Sequence, residues 1–212
     1  MGNRIFDGSR PDYAKRRDLG DFKRVIYSET SSWDVCGASA LYRPGNRIAC
    51  IFENPEEKEK KLRHPVVGQT GINFYLLTCF CRELNVPWLG FGEVTIINAR
   101  YKKTMSPDKF YVDFVKNILF SKDVIICFGK KAEQICSDIE WGNFSFADKC
   151  VIKIVHLSAQ GLAHIVSKDK GGIADYEKLR CIAKFIHSTG FHPGVYGDDE
   201  FKNCNNKITI RR

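Results

Sequence analysis

The sequence contains no apolar run long enough to cross a membrane, and its longest apolar stretches, such as 124–128, have the length of a single strand. Its first residues lead directly into charged sequence and carry no apolar core of a signal peptide. Position 6 is Phe6, where a myristoylation motif starting at Gly2 needs Ser or Thr. These absences predict an intracellular protein, cytoplasmic or nuclear, without a membrane partner.

The nine cysteines include no Cys-x-x-Cys pair, and most of them lie inside apolar segments. Zinc and iron–sulfur sites are therefore poorly supported, and we interpret the cysteines as small buried residues in a reducing compartment. The sequence also lacks a Gly-x-Gly-x-x-Gly run and a Walker-type loop, which argues against the common nucleotide-binding enzymes. We predict no metal and no cofactor.

The composition indicates a globular chain with a positive charge. Its 212 residues carry a net charge of +8, and 43% of them are hydrophobic, which suits one domain with a sizeable core. Positive charge favours a polyanionic partner, nucleic acid above all. We divide the chain into an irregular basic arm at 1–33, an α/β domain at 34–190 and a basic tail at 191–212. The sequence predicts no particular oligomeric state.

Strand and helix patterns alternate along the central region. The predicted strands are 35–42, 47–52, 94–97, 123–128 and 149–156. The predicted helices are 71–84, 106–120, 129–139 and 175–188, and the charged stretch 56–63 is a solvated loop or a helical turn. In the second helix, Ser106 is the expected N-cap, and Phe110 and Phe114 lie on the apolar side. The alternation predicts an α/β fold with three layers, α/β/α, around a mostly parallel four-stranded sheet.

Polar residues follow the predicted buried strands where each strand ends. The four runs are Glu53-Asn54-Pro55, Asn98-Ala99-Arg100, Gly129-Lys130-Lys131 and His156-Leu157-Ser158. The carboxyl ends of parallel strands share one edge of a sheet, and ligands bind beyond that edge. A glycine-rich helix start at 65–71 adds backbone N–H donors suited to phosphate. We therefore expect one site at this edge.

The order of these motifs resembles the uracil-DNA glycosylase superfamily over roughly residues 45–188. Phe52-Glu53-Asn54-Pro55 resembles its Gly-x-(Asp/Asn)-Pro motif, and 65–71 resembles the Pro-Phe-Val-Gly-x-Ala-Gly of its iron–sulfur branch. Thr95-Ile96-Ile97-Asn98 resembles the strand that presents a base-reading Asn, and 155–159 is similar to its His-Pro-Ser loop. The resemblance implies a uracil-DNA glycosylase-like fold and a hydrolase that excises a deaminated or modified base from DNA, in repair or defence.

The resemblance also implies roles for individual residues. Asn54 would hold the attacking water, and His156 would donate a hydrogen bond to the departing base. Asn98 would read the base edge, and Glu53 or Glu56 would act as general base or discriminate against the wrong base. Val66 stands where the family has its stacking Phe, and Phe74 or Tyr75 is the candidate for the missing stacking face. The predicted contacts to the nucleic-acid backbone are Gly68, Thr70, Gly71, Ser158, Lys130 and Lys131.

Departures from the family pattern keep other hypotheses open. Phe52 replaces a glycine, Val66 an aromatic residue and Leu157 a proline, and Glu56 stands where small or aromatic residues are usual. A second hypothesis is a module of the same fold that binds a base, nucleotide or nucleic acid without turnover. A third is an unrelated doubly wound enzyme acting on a nucleotide or small phosphate. Locally, Asn54-Pro55 also suits a turn, and Ser158 suits a helix N-cap.

Overall fold

The computed structural model describes residues 34–36, 40–43, 45–86, 88–101, 106–139, 149–163 and 175–189. The predicted arm at 1–33 and the predicted tail at 191–212 lie outside these ranges. The division of the chain at these two boundaries therefore stays a prediction.

Six strands form one sheet in the order β1-β2-β4-β3-β5-β6. They are β1 (Asp34–Cys36), β2 (Ala40–Tyr42), β3 (Ile48–Phe52), β4 (Thr95–Asn98), β5 (Val124–Phe128) and β6 (Cys150–Ile154). The last four strands run parallel to one another, β2 pairs antiparallel with β4, and β1 pairs antiparallel with β2. The α/β class and the mostly parallel sheet are confirmed.

The predicted number of four strands is wrong, because the stretch 35–42 joins the edge of the four parallel strands as two short strands, which gives six. Cys36 pairs with Ala40 in an antiparallel hairpin that extends the sheet beyond β4. The four predicted strands that follow in the chain make up the parallel part of the sheet.

Six α-helices and one 3₁₀ helix, 91–93, lie in the described residues. The α-helices are α1 (Glu57–Leu62), α2 (Gln69–Glu83), α3 (Lys109–Phe120), α4 (Lys130–Asp138), α5 (Ala159–Ala163) and α6 (Asp175–Ser188). Helix α1 occupies the charged stretch at 56–63, so the helical alternative holds there. None of the helices in the described ranges combines the length and apolarity that spanning a bilayer requires.

Helix α3 corrects two sequence predictions. Its N-cap is Asp108, whose carboxylate accepts a hydrogen bond from the Tyr111 N–H at 2.8 Å, and the cap is not Ser106. Phe110 is 84% exposed, whereas Tyr111 is buried. The cap starts the helix later than the Ser-Pro signal suggested, and the buried stripe runs through 111, 115, 118 and 119.

The sheet is covered by helices on both faces, as predicted. Ile51 and Cys127 face one side, where they share a core with α3 and α4. Phe52 and Phe128 face the other side, where their rings stack at 4.7 Å and contact Phe74 of α2. Helix α6 packs against α2 in this second layer. Alternate residues of each central strand thus supply the two halves of the core.

The described cysteines are all free thiols. Those on β3, β5, β6 and α4 are buried, as the sequence interpretation requires, while Cys181 on α6 is exposed. Burial raises the pKa of the Cys50 thiol, and it raises that of Cys81 to about 12. Thiols held in their protonated form are poor nucleophiles and poor metal ligands.

Candidate functional site at the carboxyl ends of the parallel strands

The strand order creates a crevice between β3 and β5 at the carboxyl edge. The chain leaves β3 towards β4 on one side, and then crosses to β5 on the other side of β3. Loops that leave neighbouring strands in opposite directions separate above the sheet, and doubly wound proteins bind ligands at this position. Glu53 and Asn54 follow β3, while Gly129 and Lys131 follow β5, so both runs flank the crevice.

The Glu53 carboxylate lies directly over Gly129. A Cβ added at Gly129 would approach the Glu53 Oε1 to 2.5 Å, and the Gly129 φ of +97° is itself unfavourable for other residues. Glu53 Oε1 also faces the Lys131 N–H in the first turn of α4, at 3.5 Å. The glycine is therefore needed for its conformation, and any larger residue there would also displace the Glu53 carboxylate.

Lys131 connects the two loops. Its ammonium donates to Asn54 Oδ1 at 3.1 Å and lies 3.9 Å from Glu53 Oε2. The bond to Oδ1 fixes the amide of Asn54, because the oxygen is held by the lysine and the Nδ2 donors turn the other way. Lys130, in contrast, is exposed. The structure therefore brings together Glu53, Asn54 and Lys131, three of the predicted site residues.

His156 lies in the loop after β6, which ends two residues earlier than its sequence suggested. Its Nδ1 accepts a hydrogen bond from the Ser158 N–H at 3.1 Å, so the ring proton of the neutral imidazole lies on Nε2. Burial lowers the pKa of His156; the charges of Glu53 and Glu56 act to raise it, and that of Lys131 lowers it further. His156 is thus a neutral Nε2–H donor within electrostatic reach of the Glu53 cluster.

Ser158 is a helix cap in this structure, as its alternative interpretation proposed. Its hydroxyl accepts from the Gly161 N–H at 3.2 Å, and its carbonyl accepts from Leu162. Gly161 in turn packs on the His156 backbone, since an added Cβ would lie 1.8 Å from the His156 carbonyl oxygen. The start of α5 therefore fits closely around His156.

Asn98 ends β4 beside the β3 exit. It pairs in register with Phe52, so both side chains lie on the α2 face of the sheet. Asn98 is buried, and its backbone carbonyl accepts from the Tyr111 hydroxyl at 2.6 Å. The predicted base reader thus belongs to the same edge as Glu53.

Val66 and Phe74, both predicted to contact a base, are fully buried. Phe74 packs against Phe52, Phe91 and Phe128. Neither side chain offers an exposed surface for stacking, so a stacking role would require the core to repack. The aromatic stripe of α2 serves the core because it faces the sheet.

The N-terminus of α2 partly matches the predicted phosphate site. A Cβ on the N-cap residue Gly68 would meet nothing within 4 Å, so the space in front of it is open. The Gly71 N–H is already bonded to the Gly68 carbonyl at 3.0 Å, and Thr70 is half-buried. Gly68 and Thr70 are therefore more accessible to a ligand than Gly71.

The sequence predictions missed two buried polar residues near the edge. Asn73 donates to the Leu157 carbonyl at 2.6 Å. The Glu59 carboxylate accepts from the Val66 N–H and stabilises its left-handed backbone, with φ of 58°. Burial raises the pKa of Glu59 to about 7. The sequence does carry a signal for Asn73, because it is a polar residue on the apolar stripe of α2.

The described residues hold no cluster of three or more His, Cys, Asp or Glu side chains placed to bind a metal ion. In comparisons with known proteins, no protein-family model and no curated protein matches the chain. The assignment of a function therefore depends on the geometry of the carboxyl edge.

Proposed function

We propose that this protein hydrolyses the N-glycosidic bond of a deaminated or modified base in DNA. One observation carries the proposal: a neutral Nε2–H donor, His156, shares an edge of the sheet with a carboxylate and an amide held by Lys131. Base excision needs these two functions at once, because negative charge develops on the departing base and positive charge on the sugar.

His156 stabilises the departing base. Its Nε2–H donates to a base oxygen on which charge builds as the C1′–N bond breaks, and the base leaves as an anion. A donor fixed in orientation before the reaction stabilises this charge without reorganising. The lowered pKa keeps the imidazole neutral near pH 7, so the donor is ready in its Nε2–H form.

Glu53 and Asn54 act on the attacking water and on the sugar. Water attacks C1′, its proton passes to the Glu53 carboxylate, and the negative charge of that carboxylate stabilises the sugar as it becomes cationic. Asn54 orients the water through its Nδ2–H, since Lys131 occupies Oδ1. The general base in this proposal is Glu53, while Asn54, an amide, only positions the water.

The remaining residues supply recognition in this proposal. Asn98 reads the base edge, while Gly68, Thr70, Ser158, Lys130 and the N-terminus of α2 contact the backbone phosphates. The net charge of +8 supports a polyanionic substrate. Nucleic acid, with DNA foremost, is the proposed partner.

A second candidate is a module that binds a base, nucleotide or nucleic acid without turnover. The burial of Val66 and Phe74 favours it, because two of the three positions considered for stacking are enclosed in the core and the third, Tyr75, is half-buried. A base without a stacking partner is held by its edge alone, which suits weak recognition better than rapid excision.

A strand-cleavage assay tests the proposal. Labelled oligonucleotides carrying uracil, hypoxanthine or modified cytosines are incubated with the protein and then treated with hot alkali, which cleaves at abasic sites. Wild type should cleave one of them, and Glu53→Gln, Asn54→Ala and His156→Ala should each lose about 100-fold or more in rate. His187→Ala, at an exposed histidine of α6, is the matched control and should keep full activity.

The same assay can reject excision. Silence of the folded wild type on every substrate would overturn the hydrolase and favour the binding module. DNA affinity would then be measured against salt concentration, since a protein that neutralises several phosphates loses affinity steeply as salt rises.

A further inference from the structure

The peptide group between Leu157 and Ser158 is held at both ends. Its carbonyl accepts a hydrogen bond from Asn73 Nδ2 at 2.6 Å, and its N–H donates to His156 Nδ1 at 3.1 Å. The carbonyl and N–H of a trans peptide lie in one plane and point in opposite directions. Fixing the carbonyl from α2 therefore aims the N–H at the imidazole.

Asn73 is itself oriented by a further amide. Gln69 Nε2 donates to Asn73 Oδ1 at 3.1 Å, from an exposed position one turn earlier on α2. Every donor in this series points the same way, from Gln69 through Asn73 and the Leu157–Ser158 peptide to His156. Hydrogen bonds aligned in this manner polarise one another, so each strengthens the next.

We infer that Asn73 is a positioning residue that sets the orientation and the Nε2–H tautomer of His156 through the Leu157–Ser158 peptide. Asn73 is only 4% exposed, and burying an amide is costly unless its hydrogen bonds are made. Its long-range partner among the described residues is the histidine loop, 84 residues away in the chain. The importance of this positioning for catalysis rests on the proposed function, but the positioning of His156 by Asn73 does not.

NMR of the imidazole nitrogens tests the inference without requiring activity. In protein with ¹⁵N-labelled histidine, the His156 signals are assigned by their loss in His156→Ala. Wild type should show an unprotonated Nδ1 and a protonated Nε2. In Asn73→Ala the peptide is released, so the two nitrogens should move towards averaged values. The pKa of His156 should rise, because the Ser158 N–H no longer stabilises the unprotonated Nδ1.

Thr78→Val is the matched control. Thr78 lies on the same helix and is equally buried, at 4% exposure, but its hydroxyl donates to the Tyr75 carbonyl within α2. It should leave the His156 signals unchanged. Gln69→Ala, at an exposed position, should shift them in the same direction as Asn73→Ala but by less. Asn73→Asp keeps the size of the side chain, removes the donor and should reproduce the full shift.

The outcomes separate this inference from the proposed function. Unchanged His156 signals in folded Asn73→Ala, Asn73→Asp and Gln69→Ala would overturn the positioning role, whether or not wild type is active. Shifted signals in a protein without turnover would keep the positioning role and remove only the hydrolase. If wild type is active, Asn73→Ala should lower kcat about tenfold with little change in KM, since the aligned donor acts in the transition state.

Discussion

The two edges of the sheet each bury a charged side chain against the backbone, but they differ in what lies beside it. At the amino edge, Lys122 donates to the carbonyls of Arg43 and Asn46 at 3.2 and 2.5 Å. At the carboxyl edge, Glu59 accepts backbone N–H groups, and beyond it Lys131 binds the side chains of Glu53 and Asn54. A lysine bound to carbonyls locks loops in place, whereas one bound to side chains can exchange partners when a ligand arrives.

The amino edge repeats its pattern with a second lysine. Lys149 donates to the carbonyls of Phe120 and Lys122 at 3.1 and 2.7 Å, beyond the C-terminal end of α3. Cations are favoured at this end of a helix. The lysines of the amino edge thus serve stability, and the predictions below separate that role from function at the carboxyl edge.

The largest effect is expected for Lys122→Met, which keeps the apolar stem and removes the ammonium. The Asn46 carbonyl loses the lysine as donor, while the Arg43 carbonyl keeps weaker bonds from the Asn46 N–H and the Thr95 hydroxyl, so the free energy of unfolding at pH 7 should fall by about 2–3 kcal/mol. The His156 NMR signals should not change. Chemical denaturation measures the free energy of unfolding. A shift of the His156 NMR signals in the folded variant would contradict the idea that Lys122 acts on stability alone.

The pH dependence of wild-type stability tests the burial of the same lysine. Burial lowers the pKa of Lys122 to about 8 from 10.5. The folded state therefore releases this proton before the unfolded state does, and the contribution of Lys122 to stability should rise between pH 8 and 10.5, opposite to the trend of the buried Cys50 and Cys81, whose pKa values are raised. This rise should be absent in Lys122→Met.

The second prediction compares one glycine from each edge. Gly45 and Gly129 both have positive φ, of 76° and 97°, but a Cβ on Gly45 meets nothing within 4 Å. Gly45→Ala should cost only the backbone strain, about 1 kcal/mol, and Gly129→Ala about 2 kcal/mol because it also displaces Glu53. Only Gly129→Ala should abolish base excision. If Gly45→Ala lost as much stability and as much activity as Gly129→Ala, the close fit of Glu53 over Gly129 would be refuted.

The third prediction concerns the buried charge of the carboxyl edge. The pKa of Glu59 is raised from 4.5 to about 7, so the folded state binds this proton more tightly than the unfolded state. The contribution of Glu59 to stability should therefore decrease as pH rises from about 4.5 to 7. The stability difference between wild type and Glu59→Gln should shrink by about 1–2 kcal/mol across that range. Taking the difference cancels the opposite trend of His64 and His156, whose pKa values are lowered.

Much of this architecture follows from local sequence. The apolar runs at 48–52 and 124–128 predict buried strands, and residues after parallel strands must meet at one edge, so Glu53 and Lys131 were expected at the same site. The two faces of α3 are harder to distinguish, since Phe110 and Tyr111 both fit an apolar stripe. The Asp108 cap and the packing against the sheet decide between them.

The contacts that organise the site are not readable from sequence. Lys131 and Asn54 are 77 residues apart, and Asn73 and Leu157 are 84 apart. Periodicity places each residue on a face of its own element, but a hydrogen bond also depends on how two elements are set against each other. This is why the resemblance suggested Phe74 for the base, whereas the packing of α2 on the sheet encloses it.

The smallest predicted effect is the sharpest test of the carboxyl edge as one electrostatic unit. Lys131 lowers the pKa of His156, and Glu53 raises it. Lys131→Met should therefore raise the His156 pKa and Glu53→Gln should lower it, each by a few tenths of a unit, because water screens half-exposed charges. Lys131→Met should change the free energy of unfolding by less than about 1 kcal/mol, in contrast to Lys122→Met. Shifts of the His156 pKa in the same direction in both variants would mean that the histidine responds to loop movement instead of charge. Lys153→Met, which removes an exposed lysine of β6, is the control variant for the His156 pKa.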